Sequence, residues 1–195
     1  MKDNKQRFSS IERKTRETEV RIFLNIDGKG DYEISTTIPF FDHLLASFAR
    51  HGRFDLKVKA SGDNQHHIIE DVAICLGKAF SKALKDKKGI ARFGFSIIPM
   101  DDVLVLTSVD ISGRAYFNYG MKFRWKEVEG VKTEMIEHFL QTFSSEFKIN
   151  LHAKLLDGKN EHHKAEALFK SLGLSLSQAC SIKGESVPST KGVLE

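Results

Sequence analysis

The chain has 195 residues, 41% of them hydrophobic and 29% charged, which is enough to bury a substantial core in one domain or two small ones. No apolar run approaches the roughly 20 residues that cross a bilayer, and the opening MKDNKQRFSSIERKTRE is unlike a signal peptide, so a cytoplasmic protein with no membrane partner is expected. The net charge of +4 does not indicate nucleic acid, because Lys and Arg are scattered among acids without a basic stripe carrying aromatics.

In chain order, EVRIFLNI alternates apolar and polar residues over 19–26 and stops at the turn signal DGKG, predicting a strand. DYEISTTI reads as its hairpin partner. PFFDHLLASFARHG opens with Pro39, carries Phe41, Leu44, Leu45 and Phe48 at helical spacing, and stops at Gly52. FDLKVKAS alternates as a strand, and after GDN the stretch QHHIIEDVAICLGKAFSKALKDKKG reads as a long amphipathic helix ending at Gly89. The order then recurs. DVLVLTSVDISGRAYFNY gives strand, turn and strand, with Asp110–Gly113 in the place of Asp27–Gly30. TEMIEHFLQTFSSEF is a short helix, KINLHAKLL a strand, and NEHHKAEALFKSLGLSLSQAC a long helix. The chain therefore reads as an internally duplicated α+β fold. Two β-β-α-β-α halves, 8–93 and 94–182, pack as one unit and are followed by a tail, 183–195. Cys75 and Cys180 fall in apolar helical patterns without CxxC spacing and read as buried thiols.

The duplication organises the histidines. His43, His66 and His67 in one half match His138, His162 and His163 in the other, and Glu70 matches Glu166. His43 precedes His66 by 23 residues and His138 precedes His162 by 24. His51 and His152 have no counterpart and read as surface or capped residues. On a helix each glutamate is three and four residues from its histidine pair, so it is near both imidazoles. Adjacent residues diverge by about 100° around the axis, so the two histidines of a pair serve different ions. Six imidazoles and two carboxylates divide into two sites of three nitrogens and one oxygen. That donor set suits Mn2+, Fe2+ or Zn2+, and open coordination positions point to catalysis. Pairs that face two ways predict ligands shared between subunits. These residues leave open a di-metal hydrolase of a small phosphorylated substrate and a non-catalytic metal-storage shell.

A set of motifs over nearly the whole chain resembles the imidazoleglycerol-phosphate dehydratases of L-histidine biosynthesis: RETEV, LNIDGKG, IPFFDHLL, HGRFDL, HHIIED, DKKGIARFG, PMDD, DISGRAYF, EHFLQTF, NEHHKAEALFKS and VPSTKGVL. The resemblance implies a lyase that converts imidazoleglycerol phosphate to imidazoleacetol phosphate. It also implies two Mn2+ per subunit, held between subunits of a homo-oligomer in which trimers build a 24-subunit shell. In that family the substrate ring is held as imidazolate between the two metals, and a diazafulvene-like intermediate follows. Carried over, the metal ligands are the six histidines with Glu70 and Glu166. Glu17 of RETE contacts substrate and carries the proton, while Arg92, Arg114, Lys170, Ser189 and Lys191 bind phosphate under a closing tail. Two departures stand out. GDNQHH is shorter than the family's GD-x-H-x-D-D-HH, with Asn64 and Gln65 in place of acids, which predicts weaker outer support for His66 and His67. Ser47 stands where the family often has glutamine, which predicts an altered substrate contact.

Overall fold

The computed structural model describes residues 7–194. The first set of elements is β1 (Phe8–Lys14), β2 (Thr18–Asn25), β3 (Tyr32–Ser35), α1 (Pro39–Gly52), β4 (Asp55–Gly62) and α2 (Gln65–Leu84). The second is β5 (Phe93–Met100), β6 (Val103–Asp110), β7 (Tyr116–Gly120), a hairpin of β8 (Glu127–Val128) and β9 (Val131–Lys132), α3 (Thr133–Phe147), β10 (Asn150–Asp157) and α4 (Glu161–Cys180). The sheets have matching orders, β1-β2-β4-β3 and β5-β6-β10-β7, which is the duplicated α+β architecture expected. Among the described residues no helix is long and apolar enough to cross a membrane.

Three local expectations need correction. Each half carries an extra first strand, which apolar alternation does not reveal because β1 and β5 turn little apolar surface inward. Ser9 donates to the Ala79 carbonyl at 2.8 Å and Arg13 pairs with Asp71 at 2.7 Å, while Gly94 and Ser96 are the inward residues of β5. A Cβ on Gly94 would lie 1.9 Å from the Ser175 carbonyl oxygen, so α4 leaves room there only for hydrogen. Second, β3 is not the hairpin partner of β2. It lies parallel to β4 on the sheet edge, and β7 lies parallel to β10 in the same way. The first residue of each central strand steers this crossover. Asp55 accepts from the amides of Lys29 at 2.8 Å and Asp31 at 3.2 Å, and Asn150 donates to the Arg114 carbonyl at 2.7 Å. Gly30 and Gly113 take equivalent positive φ values of 90° and 84° in these turns. Third, α2 ends at Leu84 rather than Gly89, since Asp86, Lys87 and Lys88 give the helix no further apolar face. Gly89 (φ 71°) instead meets the tail, donating to the Ser186 carbonyl at 2.9 Å.

Helix packing decides the rest. Each long helix lies on the sheet of its own half, α2 on the first and α4 on the second. The short helices cross over, so α1 packs on α4 and α3 on α2, and the helices fill the space between the sheets. Phe41 and Phe139 meet edge-on at 5.4 Å between centroids, within a core that also buries Phe48, Phe80, Phe143, Phe147 and Phe169. Cys75 and Cys180 are free thiols in this core, and burial pushes them up to about 11 and about 12.

At both crossings the helices approach to backbone contact. A Cβ on Gly173 of α4 would lie 2.4 Å from the Phe48 carbonyl oxygen of α1, and one on Gly77 of α2 would lie 2.9 Å from the Phe143 carbonyl oxygen of α3. The two positions are equivalent, since Gly77 follows His66 and Gly173 follows His162 by the same 11 residues. On an exposed helix Gly→Ala gains up to about 1 kcal/mol. Here overpacking outweighs that gain, so Gly173→Ala is expected to lower stability by about 1–3 kcal/mol in denaturant titration. A stabilised variant would show that the crossing has slack.

Candidate metal centre

The histidine pairs sit in the first turns of α2 and α4 because an asparagine caps each helix. Asn64 accepts from the His67 amide at 3.0 Å, and Asn160 accepts from the His163 amide at 3.1 Å. Asn64, which reads in sequence as a lost acid, is thus a cap with an exact twin in the other half. His43 lies in the first turns of α1, where Asp42 accepts from the Thr36 amide at 2.8 Å and ties the helix start to the preceding segment.

Because the helices cross, each ligand group mixes the two halves. His43 of α1 joins His162 and Glu166 of α4, and both Nε2 atoms lie 3.2 Å from Glu166 Oε2. His138 of α3 joins His66 and Glu70 of α2, with Nε2-to-carboxylate distances of 3.8 Å from His138 and 3.6 Å from His66. These separations fit a shared ion, since two donors about 2.1 Å from one metal stand about 3.0 Å apart at right angles and further apart at wider angles. His138 Nε2 supports this reading, because it is buried without a hydrogen-bond partner among the described residues.

The second member of each pair turns away. The rings of His66 and His67 are 89° apart and those of His162 and His163 are 87° apart, so His67 and His163 leave the in-chain groups. Both are held by acids. His67 Nδ1 is 2.8 Å from Asp63, and His163 Nδ1 is 3.0 Å from Asp102. The contact with Asp63 raises the pKa of His67. Asp102 lies below the usual carboxylate range because the Lys159 amide, then His163 and the Asn160 amide, stabilise its charge. The weakened outer support expected at His67 is therefore corrected, with Asp63 filling the place of the missing acids. Glu17 is exposed beside the same ring, 3.8 Å from His67 Nδ1, and groups with Asp63 and His67. Asp63 and Asp102 were legible only as parts of GDN and PMDD, without an assigned role. His51 is exposed and His152 lies tilted against Tyr116 with ring centroids 5.6 Å apart, and both lie outside the ligand groups.

Glu166 is buried, which opposes its ionisation, but Lys170 at 2.9 Å and then His43 outweigh burial and hold the carboxyl down at about 2. Ser47 is also buried, 3.4 Å from the same carboxylate, so its neighbour is a ligand group rather than open solvent.

The sequence profile of imidazoleglycerol-phosphate dehydratase matches residues 36–176. The chain belongs to the imidazoleglycerol-phosphate dehydratase family. It is 51% identical over 193 residues to the imidazoleglycerol-phosphate dehydratase of Thermoanaerobacter pseudethanolicus, covering 96% of this chain and 100% of that one. The enzyme of that name from Caldicellulosiruptor saccharolyticus is 47% identical, over 96% of this chain and 98% of its own. Among solved structures, the imidazoleglycerol-phosphate dehydratase of Pyrococcus furiosus superposes with a TM-score of 0.84 at 36% identity, covering 94% of this chain and 100% of that one. The Staphylococcus aureus enzyme gives 0.83 at 31% identity, over 90% and 99%.

In this member of the dehydratase family, the residues expected on phosphate do not gather at either ligand group. Lys170 lies at Glu166, but Arg92 pairs with Asp110 at 2.7 and 3.1 Å and donates to the Pro188 carbonyl at 3.1 Å, next to Ser189. Arg114 follows the Gly113 turn at the end of β6, and Lys191 is exposed in the tail. The Arg92 amide donates to Ala179 near the end of α4, whereas His162 is at its start. The step of 17 positions from 162 to 179 separates the two regions by about 25 Å at 1.5 Å per residue.

The segment between β7 and α3 is fastened beside His162 by a buried ion pair. Lys164 donates to Glu161 at 2.7 Å and to the Lys122 carbonyl at 2.9 Å, while Glu161 also accepts from the Arg124 amide at 3.0 Å. Lys164→Ala would leave Glu161 charged and buried without its partner, so a loss of about 3–5 kcal/mol is expected in chemical denaturation. A change below about 1 kcal/mol would show that water replaces the ammonium.

Proposed function

We propose that the chain is a cytoplasmic enzyme that dehydrates imidazoleglycerol phosphate to imidazoleacetol phosphate in L-histidine biosynthesis, using two Mn2+ ions per subunit. The observation that carries the reading is the pair of crossed ligand groups within a chain of the dehydratase family. His43, His162 and Glu166 would hold one ion, and His66, Glu70 and His138 the other. Each group offers nitrogen and oxygen donors without thiolate and leaves coordination positions for a further ligand and for substrate. When bound, the ions supply Lewis acidity that stabilises the substrate ring as imidazolate. Glu17 takes the proton from the second side-chain carbon and delivers it to the hydroxyl departing from the carbon beside the ring, which leaves as water. The enol that remains tautomerises to the ketone. Arg92, Arg114, Lys170 and Lys191 balance the phosphate charge and Ser189 donates a hydrogen bond to it, and the tail carrying Ser189 is already seated on Arg92.

The complete site is proposed to form between copies, in trimers that build a 24-subunit shell. Three features support this. His67 and His163 face away from the in-chain groups, and Arg92 lies about 25 Å from His162 along α4. The outer face of the second sheet also exposes Phe93, Phe95 and Ile97, an apolar surface of the kind that subunit contacts cover.

Incubation of the Mn2+-loaded protein with imidazoleglycerol phosphate is expected to yield imidazoleacetol phosphate. Release of inorganic phosphate instead would favour a di-metal hydrolase. Glu17→Gln should lower turnover by about 100-fold or more with metal content unchanged, as expected for a lost acid–base group; undiminished turnover would move the proton transfer to another residue. Chelation should reduce particle mass in sedimentation, and a mass that survives complete metal removal would count against ligands shared between subunits.

A further inference from the structure

The two ligand groups are copies of one pattern, yet the second has a device that the first lacks. β3 leads into α1 through residues 36–38, whereas β7 reaches α3 through residues 121–132, which hold the β8–β9 hairpin. Its two-residue turn is Glu129–Gly130, with positive φ at both positions, 47° and 80°. Such a turn matches the twist of a hairpin, but the left-handed region disfavours a glutamate, so the side chain is placed there at a conformational cost. Glu129 Oε1 lies 2.6 Å from Nδ1 of His162, while the Nε2 of the same ring faces Glu166 at 3.2 Å. The hairpin is anchored rather than loose. Glu161 and Lys164 hold Arg124 and Lys122 on one side, and Thr133 donates to the carbonyls of Lys126 at 2.9 Å and Trp125 at 3.1 Å on the other. His66, the counterpart of His162, meets one carboxylate among the described residues: Glu70, on its Nε2 side.

We propose that Glu129 is a positioning residue for His162. By accepting the Nδ1 proton it selects one tautomer and ring orientation, leaving the Nε2 lone pair aimed at the position shared by His43 and Glu166. The group at His162 is thus preorganised for a divalent cation in a way that the group at His66 is not, and the two metal sites of one chain are inequivalent. A neutral imidazole presents either nitrogen as acceptor, and a carboxylate on one of them removes that choice and strengthens the other as a donor. The inference rests on the metal reading above.

Calorimetric titration of the metal-free full chain with Mn2+ tests it, using wild type, Glu129→Ala, Glu129→Gln and His138→Ala. His138→Ala removes a ligand of the other group, so the class of site that it leaves intact marks the group at His162. Glu129→Ala is expected to weaken that class about 10–100-fold and leave the other unchanged. Glu129→Gln, whose amide oxygen still accepts from Nδ1, is expected to keep most of the wild-type affinity. Wild-type uptake with an unchanged Glu129→Ala isotherm overturns the positioning role alone. Equal weakening of both classes also overturns it, because a general loss of hairpin structure then explains the effect. A wild-type chain that takes up no Mn2+ overturns the metal reading and this inference together.

Discussion

The backbone contact between α1 and α4 at Gly52 and Gly173, and its twin between α2 and α3 at Gly77, set where the chemically active side chains of this protein lie. A helix pair with side chains at the crossing keeps its axes about 8–10 Å apart. Glycine at the contact lets the two backbones touch. With the short helix of one half drawn against the long helix of the other, His43 faces Glu166 and His138 faces Glu70. Both of these groups draw their residues from the two halves. The histidines lie in the first turns of their helices, where asparagine caps and Asp42 fasten the chain, so the crossing is transmitted to the imidazoles through rigid elements.

Around these groups the charges are arranged to place rings rather than to neutralise surface. Asp63, Asp102 and Glu129 each take the Nδ1 side of an imidazole, and on His162 the Nε2 side faces Glu166. Glu166 is kept ionised in a buried position by Lys170. The buried Lys164–Glu161 pair adds little net stability by the usual balance of Coulomb attraction against desolvation. Its contribution is specificity, because both partners also bind backbone groups of the segment that carries Glu129. The four hydroxyls of Ser96, Thr107, Ser171 and Ser175 play a comparable part under β5, satisfying one another where α4 comes too close for apolar side chains.

The same geometry explains why a single copy is an incomplete device under the proposed function. One helix turn carries a histidine into the in-chain group and its neighbour away from it, and Arg92 with the tail seated on it lies at the far end of α4. Under that proposal a small substrate that needs metal, acid–base and phosphate contacts together would draw them from more than one copy.

Much of this was legible in the amino-acid sequence. Helical period and capping placed α1, α3 and α4 almost to the residue, the repeat identified the six histidines and two glutamates, and the 100° step between neighbours required His66 and His67 to diverge. These are local properties, set within one or two helical turns. The strands β1 and β5 were missed because the crowding that selects Ser9, Gly94 and Ser96 comes from helices far along the chain, and β3 was misassigned because strand partners are chosen by sheet order. The exchange of helices between halves, and with it the membership of each ligand group, was decided only in the tertiary structure. Two equal repeats carry the same local code, and the close fit of Gly77 and Gly173 against the opposite half's backbone is a contact that no single repeat contains.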